Sequence, residues 1–179
     1  MTTPAPRRLA DRFPNVAVRT QDDRQVRFYD DLIKGRMVMI NFMFTSCPAQ
    51  CRRATANLAA VQTAFGAHAG RDVFLISVSV DPAHDTPAVL RRYADRFHAG
   101  PGWTFVTGKP GEIATIQRRL GARDTDGSPH TGMVIYGNDA SGSWASTPVL
   151  QGAESLARIV LRLLEARPSA TAAGSREPI

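Results

Sequence analysis

The sequence predicts an α/β fold in which a mixed central sheet carries helices on both faces. Two segments, 37–44 and 72–80, are apolar almost throughout and are shorter than most helices, which is typical of buried strands. Segments with apolar residues at helical spacing follow both of them, and a hairpin pattern lies near each end of the chain. Strands that alternate with helices in this way build a sheet that is covered on both sides.

The other elements are predicted from periodicity and from turn residues. The N-terminal β-hairpin alternates apolar and polar residues over 16–18 and 26–28, around a polar turn. The remaining elements are a helix that begins at the cysteines, helices near 87–97, 112–120 and 153–166, and strands at 103–106, 133–136 and 144–150. We expect one domain over residues 15–167, a flexible segment over 1–14 and a disordered tail over 168–179.

Charge and composition narrow the range of partners that the protein is expected to have. The chain has 179 residues and a net charge of +6, but its arginines are scattered in pairs among acidic residues. This distribution indicates a solvated basic surface, so we expect no nucleic-acid partner. The charge would still favour an acidic protein or an anionic membrane surface.

The sequence contains no apolar run of eighteen residues and no signal-peptide pattern at its N-terminus. Two prolines and a pair of arginines within the first eight residues are typical of a linker. We therefore expect any membrane anchor to lie outside this chain.

The cysteine pair carries the chemistry. Cys47 and Cys51 follow a predicted buried strand at the point where a helix begins. If the helix has begun by Cys47, the two side chains lie about one turn apart, with roughly 5–6 Å between their Cβ atoms. A helix N-terminus stabilises thiolates, and Arg52 and Arg53 could add to this effect. Two thiolates with one imidazole form a soft site that prefers Cu(I), whereas structural zinc normally takes four protein ligands.

The four histidines differ in their setting. His68 and His98 lie near predicted helix ends, and His84 lies in an acidic loop. His130 precedes a strand, where this type of α/β fold can bring a loop against the cysteine helix. It is therefore the candidate for a third ligand.

Three segments resemble the copper-binding SCO/SenC family of cytochrome oxidase assembly proteins. They are 41–51, which holds both cysteines, 77–87 and 103–108, and the resemblance covers most of residues 15–166. It implies a thioredoxin-like fold and a copper site formed by Cys47, Cys51 and His130. It also implies that the protein delivers copper to a cytochrome oxidase subunit, or reduces the copper-site cysteines of that subunit, on the periplasmic or intermembrane-space side of a membrane. The chain departs from the family at Arg52, where a proline is frequent, and at Pro129, where an acidic residue is frequent.

Two functions share this site. In the first, the protein is a metallochaperone that holds Cu(I), with Cu(II) as a second state. In the second, it is a thiol-disulfide oxidoreductase in which Cys47 and Cys51 attack and resolve, although dedicated enzymes of that kind have two residues between their cysteines.

Several other residues have simpler interpretations. Asp81 and Asp85 are expected to be turn and helix-cap residues that shape the site region, rather than ligands. Three methionines that alternate along the first apolar strand are expected to fill the core, although thioethers can bind copper; they are Met37, Met39 and Met43.

Overall fold

The structure is a computed structural model that describes residues 13–121 and 132–165. The elements are β1 (Ala17–Thr20), β2 (Gln25–Arg27), α1 (Phe28–Leu32), β3 (Met37–Met43), α2 (Gln50–Phe65), a 3-10 turn (Gly66–His68), β4 (Val73–Ser79), α3 (Pro87–Arg96), β5 (Trp103–Thr107), α4 (Pro110–Leu120), β6 (Met133–Asn138), β7 (Ser143–Pro148) and α5 (Ala153–Glu165).

The seven strands form one mixed sheet in the order β2-β1-β5-β4-β3-β6-β7. Strands β3, β4 and β5 run parallel, and the outer pairs are antiparallel. The predicted N-terminal hairpin is present, with Val18 paired to Val26. The carboxyl ends of the three parallel strands meet at one edge, where open α/β sheets place their sites.

Helices cover both faces of the sheet, as the sequence predicts. Alternate residues of β3 point to opposite sides, and all seven are buried. Met37, Met39 and Met43 pack with α2, α3 and α5, which confirms their role in the core. Val38 and Ile40 pack on the other face, in the cluster that includes residues of α1 and α4.

Some predicted boundaries are wrong. Helix α2 begins at Gln50, so Cys47 lies in the loop before it and only Cys51 is helical. Helix α4 begins at Pro110 rather than at Glu112, because proline suits the first helical turn and Glu112 reaches back to the backbone N–H of Lys109. The five-residue helix α1 was not predicted, since it is too short to show a period.

The predicted flexible segments fall almost entirely outside the described residues. Phe13, at the start of the described chain, is buried and its ring centroid lies 4.4 Å from that of Trp144. Within residues 13–121 and 132–165, no helix is long and apolar enough to span a bilayer.

Two glycines allow the loops before β4 and β5 to touch. Gly70 and Gly102 both have positive φ, at 73° and 82°. A Cβ atom on Gly102 would lie 2.2 Å from Cα of Gly70. Backbone meets backbone here, so no side-chain rotation can relieve the clash.

We expect Gly102→Ala to lower the free energy of unfolding by at least about 2 kcal/mol, because the left-handed conformation alone costs an L-residue roughly 1–2 kcal/mol. Gly111→Ala is the matched control: it lies in α4, and an added Cβ would meet nothing within 4 Å. That change should leave stability unchanged or raise it by up to about 1 kcal/mol. Urea unfolding measures both, and equal effects would contradict the close approach.

Candidate functional site

The cysteine loop leaves the sheet at the carboxyl edge of β3. β3 ends at Met43, and the backbone N–H of Cys47 donates to the carbonyl of Phe44 at 3.3 Å. The chain turns and enters α2, which places Cys51 in the first helical turn. A strand buried on both faces therefore fixes the starting point of the loop.

The two thiols lie close together and are almost closed from solvent. Neither cysteine is in a disulfide; Cys47 is 8% exposed and Cys51 is fully buried. The N–H of Cys51 donates to Sγ of Cys47 at 3.3 Å. Ala49, the capping residue, has no side-chain oxygen, so the sulfur of Cys47 satisfies one of the free N–H groups at the helix start. This bond fixes the sulfur of Cys47 beside the first turn of α2.

Asp85 ties the cysteine loop to the neighbouring strand. Its side chain is 1% exposed and accepts hydrogen bonds from Thr45 N–H at 3.1 Å, Thr45 Oγ1 at 2.5 Å and Ser79 Oγ at 2.6 Å. Thr45 lies two residues before Cys47, and Ser79 ends β4. Asp85 does shape the site region, as predicted, but the residue that caps α3 is Thr86.

The hydroxyl groups of Thr55 and Tyr93 hold the backbone carbonyl of Cys51. Thr55 Oγ1 donates to the carbonyl of Cys51 at 2.8 Å and lies 3.1 Å from the hydroxyl of Tyr93. Both residues are buried. Tyr93 belongs to α3, so this contact joins α3 to the first turns of α2.

The arginines beside the cysteines lie on the surface. Arg52 and Arg53 are exposed, and the guanidinium of Arg52 donates to the carbonyl of Pro48. This bond places a positive charge on the loop between the two cysteines.

The predicted third ligand cannot be placed. His130 lies outside the described residues, so its position relative to Cys47 and Cys51 stays a prediction. Among the described residues, no three His, Cys, Asp or Glu side chains are grouped so that they could hold a metal ion.

Two of the described histidines, His68 and His84, lie beside carboxylates, and the third, His98, lies just after a helix. His68 Nδ1 lies 2.7 Å from Asp72, and His98 follows the end of α3. His84 Nδ1 lies 2.9 Å from each carboxylate oxygen of Asp81. The hydrogen bond with Asp81, followed by its charge, raises the pKa of His84 above its ordinary value.

A pocket of about 540 Å³ opens at the same edge of the sheet, beside the first turns of α3 and α4 and strand β1. Neither cysteine lines it, so the thiol pair forms a separate site.

Sequence reasoning found the cysteines and expected Asp85 to shape the site region, but it missed Tyr93 and the contacts that Asp85 makes. Spacing indicated Cys47 and Cys51, whereas the partners Asp85 and Tyr93 come from other parts of the chain. The one available signal for Asp85 was its place after β4, since β4 is parallel to β3 and both strands end at the same edge.

We expect Asp85→Asn to lower the free energy of unfolding by about 1–3 kcal/mol, because the amide nitrogen cannot accept the bonds that a carboxylate oxygen accepts. Urea unfolding measures the loss, and amide hydrogen exchange should show faster exchange at Thr45. Asp81→Asn, in the same loop and paired with exposed His84, is the matched control and should have a small effect. Equal losses in both variants would contradict the role of Asp85.

The His84 contact also has a pH dependence. Because the folded-state pKa is raised, its contribution to stability is fully present below the unfolded value of about 6.5 and is lost as pH rises through the folded value. NMR titration of the His84 ring should give a midpoint above about 6.5, which Asp81→Asn lowers. Asp72→Asn, beside His68, should leave that midpoint unchanged; an unshifted His84 in the parent would contradict the contact.

Comparison with known proteins identifies proteins of similar sequence and structure. A curated SCO2-like protein of Rickettsia felis is 33% identical over 89 residues, which cover 50% of this chain and 42% of that protein. The match thus spans less than half the length of this relative. The structure of Bradyrhizobium japonicum ScoI with copper bound is 26% identical, covers 82% of this chain and 96% of that one, and has a TM-score of 0.67.

A third relative shares the fold. BsSco, a member of the Sco family of cytochrome c oxidase assembly proteins with an identified disulfide switch, is 22% identical, with 85% of this chain and 92% of that one covered and a TM-score of 0.69. These neighbours confirm the thioredoxin-like architecture. The family model SCO1/SenC matches residues 17–144, which include both cysteines, the Asp85 tie and Tyr93. This chain belongs to the SCO1/SenC family.

Proposed function

We propose that this protein is a copper chaperone that binds copper through Cys47, Cys51 and His130. In this proposal it delivers copper to a cytochrome oxidase subunit, or reduces the copper-site cysteines of that subunit. The observation that carries the proposal is the pair of buried cysteines, not joined by a disulfide, at the start of α2, with Cys51 N–H donating to Cys47 Sγ at 3.3 Å.

The donor set supports Cu(I) as cargo. Two thiolates are soft ligands, and a buried setting protects Cu(I) from water and oxidants. The nearly closed environment of Cys47 and Cys51 meets the second condition. Transfer to a partner then proceeds by ligand exchange, in which an incoming thiolate or imidazole replaces one ligand at a time. Cu(II) is a second state that the imidazole would stabilise.

Family membership supports the same cargo. The relative from Bradyrhizobium japonicum has been solved with copper bound, and BsSco belongs to a family of cytochrome c oxidase assembly proteins. We extend both properties to this chain and propose an oxidase subunit with a copper site, or another copper or thiol protein, as the partner.

The proposed location is the periplasm, with a membrane tether outside this chain. A SCO1/SenC lipoprotein from Bacillus anthracis is a structural neighbour at 23% identity. Lipidation would hold such a protein at the membrane surface, close to an oxidase. The net charge of +6 would add attraction to anionic lipid.

Thiol-disulfide exchange is the second candidate function, because both cysteines are in the reduced form and the backbone N–H of Cys51 contacts the sulfur of Cys47. In this reaction Cys47 and Cys51 lose two protons and two electrons and form a disulfide, while a partner disulfide gains them and becomes a dithiol. His130 is required for copper binding in our proposal but not for this exchange, which separates the two candidates.

We expect the reduced protein to bind one equivalent of Cu(I), and Cys47→Ala, Cys51→Ala and His130→Ala each to weaken binding by at least about 100-fold, since even outer contacts of a metal site are worth 10–100-fold. Anaerobic titration against a competing Cu(I) chelator measures this. His84→Ala is the matched control, an exposed histidine whose loss should leave affinity unchanged.

Each contradictory result has a distinct meaning. A parent that binds no Cu(I) but forms a reversible Cys47–Cys51 disulfide overturns the chaperone proposal in favour of thiol exchange. If the His130→Ala variant binds Cu(I) as tightly as the parent, only the assignment of His130 as the third ligand is overturned. Circular dichroism of each variant excludes unfolding as the cause.

A further inference from the structure

We propose that Tyr93 and Thr55 form a positioning brace that holds Cys51 in its helical place and so favours the dithiol state of the cysteine pair over the disulfide. The inference rests on the proposed function only in taking Cys47 and Cys51 as the working groups. It adds two residues that control the redox balance of that site from α3 and from the second turn of α2.

The direction of the hydrogen bonds follows from the number of protons. The Thr55 hydroxyl has one hydrogen, which it donates to the carbonyl of Cys51 at 2.8 Å. In the 3.1 Å contact between Tyr93 and Thr55, Tyr93 must therefore be the donor. The chain runs from Tyr93 O–H to Thr55 Oγ1 and on to the Cys51 carbonyl, and each bond polarises the next.

The residues of the brace are buried. Thr55 is 1% exposed, Tyr93 is 5% exposed and Cys51 is fully buried. The Tyr93 ring packs against Phe97 at 4.8 Å between centroids, which limits how far its hydroxyl can move. Without that hydroxyl, Thr55 would lose a donor that water is poorly placed to replace.

Tyr93 keeps its proton while the thiols change state. Burial is the largest cause and raises the pKa of Tyr93; the hydrogen bond with Thr55 lowers it, and the charges of Cys51, Cys47 and Asp85 raise it again. The pKa of Tyr93 is raised overall, so the Tyr93 hydroxyl is a hydrogen-bond donor at neutral pH whether the cysteines are thiols or thiolates.

Disulfide formation would disturb this arrangement. The sulfurs must come to about 2.05 Å with a fixed dihedral geometry. The N–H of Cys51 now donates to Cys47 Sγ at 3.3 Å. In our proposal, bonding that sulfur to the Cys51 side chain instead moves Cys51 and the first turn of α2 relative to the loop. Its carbonyl would then leave the position that Thr55 and Tyr93 hold. The brace therefore stabilises the dithiol more than the disulfide.

Redox titration with glutathione tests the brace. Cys47 and Cys51 give two protons and two electrons to glutathione disulfide, which becomes two glutathione molecules while the protein disulfide forms. We expect Tyr93→Phe to shift the equilibrium about five-fold toward the protein disulfide, as the loss of one buried hydrogen bond would, which corresponds to a potential about 20 mV more negative. Thr55→Val should act in the same direction.

Three further variants separate positioning from general stability. Thr55→Ser keeps the hydroxyl and should retain the parent value. The double change Tyr93→Phe with Thr55→Val should be non-additive, because both residues belong to one hydrogen-bond chain. Tyr29→Phe is the matched control: its hydroxyl bonds Asp139, which follows the far end of β6, and its loss should not change the potential.

An unchanged or less negative potential in Tyr93→Phe overturns the brace, even if thermal stability falls. A parent that forms no Cys47–Cys51 disulfide in glutathione also overturns it. Cu(I) binding by the parent is measured separately. If the parent binds no copper but Tyr93→Phe shows the five-fold shift, the brace is supported and the proposed chaperone function is overturned.

Discussion

The burial of strand β3 on both faces is the constraint on which the rest of the structure depends. All seven of its residues are buried, and its neighbours are parallel β4 and antiparallel β6. Each large apolar side chain buried there contributes roughly 1.5–3 kcal/mol. A shift of register by one residue would exchange the two core faces, so the strand cannot slide. The loop that carries Cys47 therefore starts from a fixed point.

Polar contacts, rather than regular secondary structure, then fix the position of that loop. Asp85 holds Thr45 ahead of Cys47, and Thr55 with Tyr93 holds the carbonyl of Cys51. The first tie comes from the loop that joins β4 to α3, and the second comes from α2 and α3. Buried polar groups of this kind are costly unless each finds a partner, so the two ties restrict the cysteines to a narrow set of positions.

The same arrangement suits both candidate functions. A metal site needs two sulfurs that stay apart and reduced, whereas thiol exchange needs sulfurs that can meet. In either case the sulfur of Cys47 lies against the backbone N–H of Cys51 at the start of α2. The balance between the dithiol and the disulfide then depends on how firmly the first turn of α2 is held, which makes its surroundings as informative as the cysteines.

The sequence by itself determined the layered α/β fold, the central strand and the candidate cysteine pair, because periodicity and the spacing of Cys47 and Cys51 are local properties. It did not determine where α2 begins, since Cys47 takes over part of a capping role that Ala49 cannot perform. The partners Asp85 and Tyr93 were decided only by tertiary structure. They lie 40 and 38 residues from the side chains they contact, and the parallel register of β3 and β4 and the packing of α3 bring them there.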